Sequence, residues 1–129
     1  MEKMRLVAGM ATMLAFLAVA GAGRAQDAGE AQKGAKVFKR VCAACHASEA
    51  GKNKIGPSLF GVVGRRSGSV PGFTYSKAMK TADITWDDET IDKYIANPKK
   101  VVPGNKMAYA GAKKEAERKE IIAYLETLH

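Results

Sequence analysis

Apolar positions along this chain gather in three stretches at helical spacing, separated by long polar segments. Between Ala31 and Val41 the apolar residues are Ala31, Val37, Phe38 and Val41, with Gly34 on the same face, which predicts an amphipathic helix starting near Asp27. A glycine inside a helix costs about 1 kcal/mol relative to alanine, so Gly34 is expected to serve a close helix crossing. Ile91, Tyr94 and Ile95 give the second stretch its apolar face; Thr85 followed by Asp88 reads as a capping-box-like start, and Asn97-Pro98 as its stop. From about Ala112 a charged helix is predicted to run to the end, with Arg118, Ile121, Ile122, Leu125 and Leu128 three or four residues apart. Ser48 to Pro71 is rich in Gly, Ser and Lys without strand-like alternation, and Val101 to Gly111 is a second irregular segment. A loop that long needs something to pack against, and three amphipathic helices form only a small core. The expectation is an all-α domain completed by a large apolar group.

The N-terminus has a different pattern. Lys3 and Arg5 precede an uncharged, mostly apolar run from residue 6 to residue 22, and small residues follow. That order predicts a secretory signal peptide over residues 1–25, cleaved after Ala25, with Ala20-Gly21-Ala22 as an alternative site and residues 26–129 as the domain. A membrane anchor is the competing reading, but the run falls short of the roughly 20 residues a spanning helix needs. Losing Lys3, Arg5, Arg24 and Glu2 lowers the formal charge from +8 to +6. Such an excess favours an anionic partner and salt-sensitive encounter. Nucleic acid is a poor fit, since no finger spacing, helix-turn-helix or RNA-binding aromatic motif accompanies the charge.

Cys42 and Cys45 are the only cysteines, and His46 follows directly. C-x-x-C-H is the haem-attachment signature: the thiols can each form a thioether to a haem vinyl group, and the histidine is then carried under the iron as an axial ligand. A thioredoxin-like dithiol would need the pair between a strand and a helix, and no strands are predicted. Zinc would need a fourth ligand that only the terminal His129 could supply among the histidines. The second axial ligand is sought among the methionines left after cleavage. Met79 lies in a locally helical segment and reads as core filling; Met107 lies in the loop Pro103-Gly104-Asn105-Lys106-Met107 and is favoured. A thioether stabilises ferrous iron, so His/Met ligation gives a higher potential than two histidines.

These motifs occur together with the segment from Gly56 to Tyr75, Trp86, the run YIANPKK at 94–100 and PGNKMAYAG at 103–111. Across the whole domain the chain resembles a class I cytochrome c, closest to the bacterial cytochrome c2-like proteins related to mitochondrial cytochrome c. The resemblance implies an all-α fold with crossing N- and C-terminal helices and loops wrapped around one covalently bound haem c. It implies that the Pro57 carbonyl accepts a hydrogen bond from His46, and that Arg65, Tyr75 and Trp86 surround the haem propionates. Tyr94 is placed beside the methionine ligand and Tyr109 near the exposed haem edge, where the family usually has phenylalanine. Asn105 stands where many relatives have threonine and can also donate a hydrogen bond. Gly34 and Phe38 match contacts that cross the last helix near Tyr124 and Leu125.

The function expected is electron transfer rather than catalysis. A small peroxidase would need an open iron site and acid–base help, and the domain has no spare internal histidine. Lys36, Lys39, Lys52, Lys54, Lys99, Lys100, Lys106 and Lys113 form the candidate docking surface. The export signal and the resemblance imply a monomeric periplasmic carrier without a stable membrane anchor. They imply a quinol–cytochrome c oxidoreductase as donor, and a terminal oxidase or a photosynthetic reaction centre as acceptor.

Overall fold

A computed structural model describes residues 20–129; most of the expected signal segment lies outside the described residues. Helix α1 spans Ala20–Val37 and runs on into a wider π-type turn, Phe38–Cys42. Then follow α2 (Lys77–Thr81), α3 (Asp88–Ala96), α4 (Pro98–Val101) and α5 (Glu115–Leu125). No strand occurs among the described residues; Arg66 and Thr85 form an isolated antiparallel bridge. None of the described helices is long and apolar enough to cross a membrane.

The framework is α1 crossing α5, with α3 packed against α5. Gly34 sits at the crossing: a Cβ there would lie 1.8 Å from the Glu120 carbonyl oxygen, so only glycine lets the backbones approach this closely. Phe38 meets Tyr124 next to it, ring centroids 5.2 Å apart. Val37, Phe38, Val62, Trp86, Ile91, Tyr94, Val102, Ile121 and Leu125 make the buried core. Arg118, only 14% exposed, joins α5 to α3 through Asp92 at 2.7 Å and donates to the Ala112 carbonyl at 3.1 Å.

Two helix boundaries differ from expectation. α1 is already helical at Ala20 rather than starting near Asp27; no proline interrupts residues 20–26, and the helix runs through Gly21 and Gly23 despite their low propensity. The N-cap of α3 is Asp87, not Thr85: its carboxylate accepts from Thr90 N–H at 2.8 Å while the Thr90 hydroxyl accepts from Asp87 N–H at 2.9 Å. Thr85 contributes its carbonyl to the Thr90 hydroxyl. Pro98 ends α3 but also occupies the first turn of α4, where its missing N–H costs nothing.

The long glycine-rich segment is irregular, as expected, and it is sewn down. Leu59 N–H donates to the Ala47 carbonyl at 2.9 Å, Gly61 to Leu128 at 2.6 Å, Gly64 to Trp86 at 2.7 Å and Ser67 to Ile84 at 2.7 Å. These bonds fix the loop across the faces on which the candidate site residues lie.

Candidate functional site

The π-type turn ends α1 by moving its hydrogen bonding one residue outward: Ala43 N–H donates to the Phe38 carbonyl at 2.9 Å. The chain then tightens, with Cys45 and His46 N–H both donating to the Cys42 carbonyl at 3.0 and 2.9 Å. Cys42, Cys45 and His46 therefore share one turn at the end of α1. Both thiols are half-buried and unpaired with each other. Burial, followed by the nearby Cys45 and Glu117, pushes the Cys42 thiol up to about 11. A dithiol catalyst needs its attacking cysteine as a thiolate at neutral pH, with a lowered pKa, so this environment opposes that reading. Among the described residues no three His, Cys, Asp or Glu side chains gather as a metal site.

His46 Nδ1 donates to the Pro57 carbonyl at 2.7 Å. This fixes the tautomer and leaves Nε2 as the nitrogen with a lone pair for a metal. Burial lowers the imidazole's pKa, opposed by the Pro57 bond and assisted by the charges of Arg65 and Lys54, and so favours the neutral ring that ligation requires. Gly56 lies flat against this ring: a Cβ there would come 2.3 Å from His46 Cε1 and 2.6 Å from Nδ1. Gly56 N–H in turn donates to the Cys45 carbonyl at 2.8 Å. The sequence reading had no role for Gly56 itself; its position before Pro57 was the available signal.

Met107 is half-buried against the core, and its backbone is held by Asn105, whose side-chain oxygen accepts from Met107 N–H at 2.8 Å. Asn105 donates as well as accepts. Its amide group donates to the Pro98 and Val102 carbonyls at 2.9 and 2.8 Å, so the buried side chain ties the methionine loop down onto α4. Lys99 Nζ adds a donor to the Asn105 carbonyl at 2.5 Å. At the loop's far end Gly111 has φ +106°, and a Cβ there would lie 2.2 Å from the Ala96 oxygen, so the exit over α3 requires glycine. Met79 lies within α2 and packs on the core, as its sequence context predicted. His129 is exposed and bonds locally to the Glu126 carbonyl.

Arg65, Tyr75, Trp86 and Tyr94 converge. Trp86 N–H donates to the Arg65 carbonyl at 2.8 Å, and the Trp86 and Tyr94 ring centroids are 4.9 Å apart. Tyr75 accepts from Val70 N–H at 3.1 Å and acts electrostatically on Arg65. Arg65 itself is half-buried, with its guanidinium on the Phe60 carbonyl at 3.0 Å. Burial pushes the Tyr94 phenol up to about 12 and keeps it neutral. Tyr109 is partly buried; burial first, then the charges of Cys42 and Glu117, raise its phenol above the ordinary value.

A cytochrome c family profile matches residues 31–129. The chain belongs to the cytochrome c family. It is 52% identical to a cytochrome c of Euglena viridis over 100 residues, which cover 78% of this chain and 98% of that protein. It is 50% identical to one of Arabidopsis thaliana over 99 residues (76% and 88% of the two chains). Against one of Gibberella zeae it is 51% identical over 98 residues (75% and 92%). As a cytochrome c it is a haem-based electron carrier rather than an enzyme, and the family binds one covalently attached haem c. The arrangement fits that group: two unpaired thiols and an oriented imidazole on one turn, a tethered thioether, and apolar walls between.

The lysines of this cytochrome c are exposed, as a docking surface requires, but several are also structural. Lys54 reaches the Ala43 carbonyl between the two cysteines, Lys113 reaches the Ala96 and Ala110 carbonyls, and Lys52 pairs with Glu49 at 3.8 Å. Lys36, Lys39, Lys99, Lys100 and Lys106 are exposed as well. A cavity of about 610 Å³ borders His46 beneath residues 47–54. A larger cleft of about 870 Å³ lies elsewhere, among α1, α3 and α5, and its lining includes the carboxylates Asp27, Glu30, Asp88, Glu89, Asp92 and Glu126 together with Arg118 and Lys119. It holds none of the ligating candidates.

Proposed function

We propose that this cytochrome c is an exported electron shuttle in which Cys42 and Cys45 carry the haem and His46 and Met107 are its axial ligands. The observation that carries this reading is the His46–Pro57 bond beside two unpaired thiols, since it orients one imidazole nitrogen outward from a rigid turn. When bound, haem c supplies a one-electron couple. The chain's part is to hold both axial side chains in fixed positions, exclude water with Trp86, Tyr94 and the core aliphatics, and present Tyr109 and the surrounding lysines to a partner. Occupied axial positions oppose substrate binding, which separates a carrier from a peroxidase.

The sequence of residues 1–25 supports removal as a signal peptide and a periplasmic location. In that compartment a quinol–cytochrome c oxidoreductase is the donor, and a terminal oxidase or a photosynthetic reaction centre the acceptor. The basic surface supports partners with acidic docking sites. The chain acts as a monomer. One preparation tests attachment and export together. Haem should stay on the polypeptide in acidic acetone, and the mass of the exported protein should equal one haem plus a chain beginning near Gln26. Extractable haem would remove Cys42 and Cys45 from the assignment, and a mass retaining residues 1–25 would remove the signal peptide.

A further inference from the structure

Helix α1 runs from Ala20 without a break through the expected cleavage point between Ala25 and Gln26. Its two halves differ in what supports them. From Asp27 onward it borders the cleft shared with α3 and α5; Lys33 pairs with Glu120 at 3.9 Å, and Gly34 presses on the Glu120 carbonyl. Before Asp27, residues 23–26 are all exposed, and a Cβ at Gly23 would meet nothing within 4 Å. Gly21 and Gly23 lower the helix propensity of the same turns. A short helical stretch without a packing partner is marginal in water, so these turns open readily and offer the extended backbone that a peptidase needs. Cut there, the chain starts at Gln26. The first four N–H groups of a helix have no intrahelical acceptor, so the Gln26 nitrogen gives up no hydrogen bond by reacting. An α-amino group titrates at about 7.7–8.0, which leaves part of it as the unprotonated nucleophile at neutral pH. The exposed side chain of Gln26 places a carboxamide on the same residue.

We propose that Gln26 is a modification site: once it is the N-terminus of the exported chain, it closes to a pyroglutamyl lactam. The α-amino nitrogen attacks the side-chain carbonyl carbon Cδ and bonds to it, and the Cδ–Nε2 bond breaks. The departing nitrogen takes the proton lost by the attacking amine and leaves as ammonia, so the step needs no other reactant. The inference rests on the export reading and extends it to the finished chain. α1 tolerates the product. A nitrogen constrained by its own ring suits the first turn of a helix, as proline does, and the Gln26 carbonyl keeps its register to accept from Glu30 N–H. Closing the lactam also removes a positive charge from the end of α1 at which the helix dipole is itself positive. Asp27 and Glu30 remain in that turn to favour the helix start, and the cleft they line keeps its excess of carboxylates.

The test compares the exported wild-type holoprotein with Gln26→Ser by intact mass and stepwise N-terminal degradation. Wild type should be lighter by one ammonia than one haem plus residues 26–129, and its terminus should yield no residue to degradation. Treatment with a pyroglutamyl peptidase should remove the lactam and open a readable terminus at Asp27. Gln26→Ser should have its full mass and a readable terminus without that treatment. A wild-type terminus that reads Gln26 at the uncyclised mass overturns the modification and leaves the signal peptide standing. A terminus elsewhere, at Gly23 or Met1, overturns the cleavage reading and the lactam together. Loss of ammonia from Gln26→Ser as well would place that loss elsewhere in the chain and overturn the assignment to Gln26.

Discussion

Met107 and Met79 show how little a side chain's chemistry reveals without its backbone. Both are half-buried thioethers packed against the same core. Met79 is fixed inside a helical turn whose N-cap, Ser76, accepts from its N–H at 3.0 Å. Met107 sits in a loop tied down by Asn105, a buried amide whose bonds run mostly to backbone groups. Replacing Met107 with Ala should leave haem attached but abolish the weak far-red sulfur–iron band of the oxidised protein and lower the midpoint potential, because the soft ligand that favours ferrous iron is gone. Met79→Ala should keep the band and cost about 2–5 kcal/mol at most, the range for a large-to-small change at a buried site. Oxidised spectra of both variants at neutral pH decide the matter; a band lost with Met79 and kept without Met107 would reverse the assignment.

At the scale of elements, the α1–α5 crossing sets the frame on which both axial candidates are mounted. Gly34→Ala would gain about 1 kcal/mol in helix propensity. The new Cβ, however, would meet a backbone carbonyl at 1.8 Å, which no rotamer change relieves. Overpacking of about 1–3 kcal/mol should therefore win. The expected result is a thermal midpoint lowered by several degrees, measured by calorimetry of the oxidised holoprotein, with the spectrum retained; an unchanged or higher midpoint would show that the crossing is looser than described. The end of α5 carries a different strain. Burial first, then the adjacent Asp88 and Asp27 carboxylates, raise the Glu126 pKa above its ordinary value. A carboxyl with a raised folded-state pKa contributes stability below its unfolded pKa and loses it as pH rises through the folded one. At neutral pH Glu126 is thus a repulsive charge in the cleft, where Arg118, Lys119 and His129 also lie. Glu126→Gln should raise the thermal midpoint at pH 7, and the gain should disappear near pH 4. A gain of equal size at both pH values would assign the effect to something other than charge.

For the whole molecule, charge is uneven: seven carboxylates line the α1–α3–α5 cleft beside Arg118 and Lys119, while Lys52, Lys54, Lys99, Lys100 and Lys106 are exposed on the segments that follow His46 and precede Met107. Long-range attraction should then orient the molecule before contact, and the association rate with an acidic redox complex should fall steeply as salt rises, since screening lengths shrink to about 10 Å at 0.1 M. Lys39→Glu and Lys106→Glu should slow association more than Lys119→Glu, because Lys119 lines the acidic cleft and pairs with Glu115 at 2.8 Å. Equal slowing at all three positions in stopped-flow measurements would show that net charge alone steers the encounter.

What the sequence determined by itself is the local chemistry. Two cysteines and a histidine within five consecutive residues stay close whatever the arrangement of the rest, so Cys42, Cys45 and His46 stand out as the candidate attachment segment from the sequence alone. Helical spacing likewise exposed the buried faces at Phe38, Ile91, Tyr94, Ile121 and Leu125, since periodicity follows from the helix itself. The resemblance supplied the Pro57 partner of His46, which the residues alone did not show. The structure decided what depends on loop closure: Gly56 pressed to the imidazole, Asn105 turned onto α4, Gly111 passing the end of α3, and Lys54, Lys99 and Lys113 tied to carbonyls. The true cap at Asp87 and the earlier start of α1 also emerged there. Residue type and spacing specify a helix face because its geometry repeats along the chain. An irregular loop has no repeat, and each of its contacts is fixed only when distant segments are packed together and every buried polar group has to find a partner.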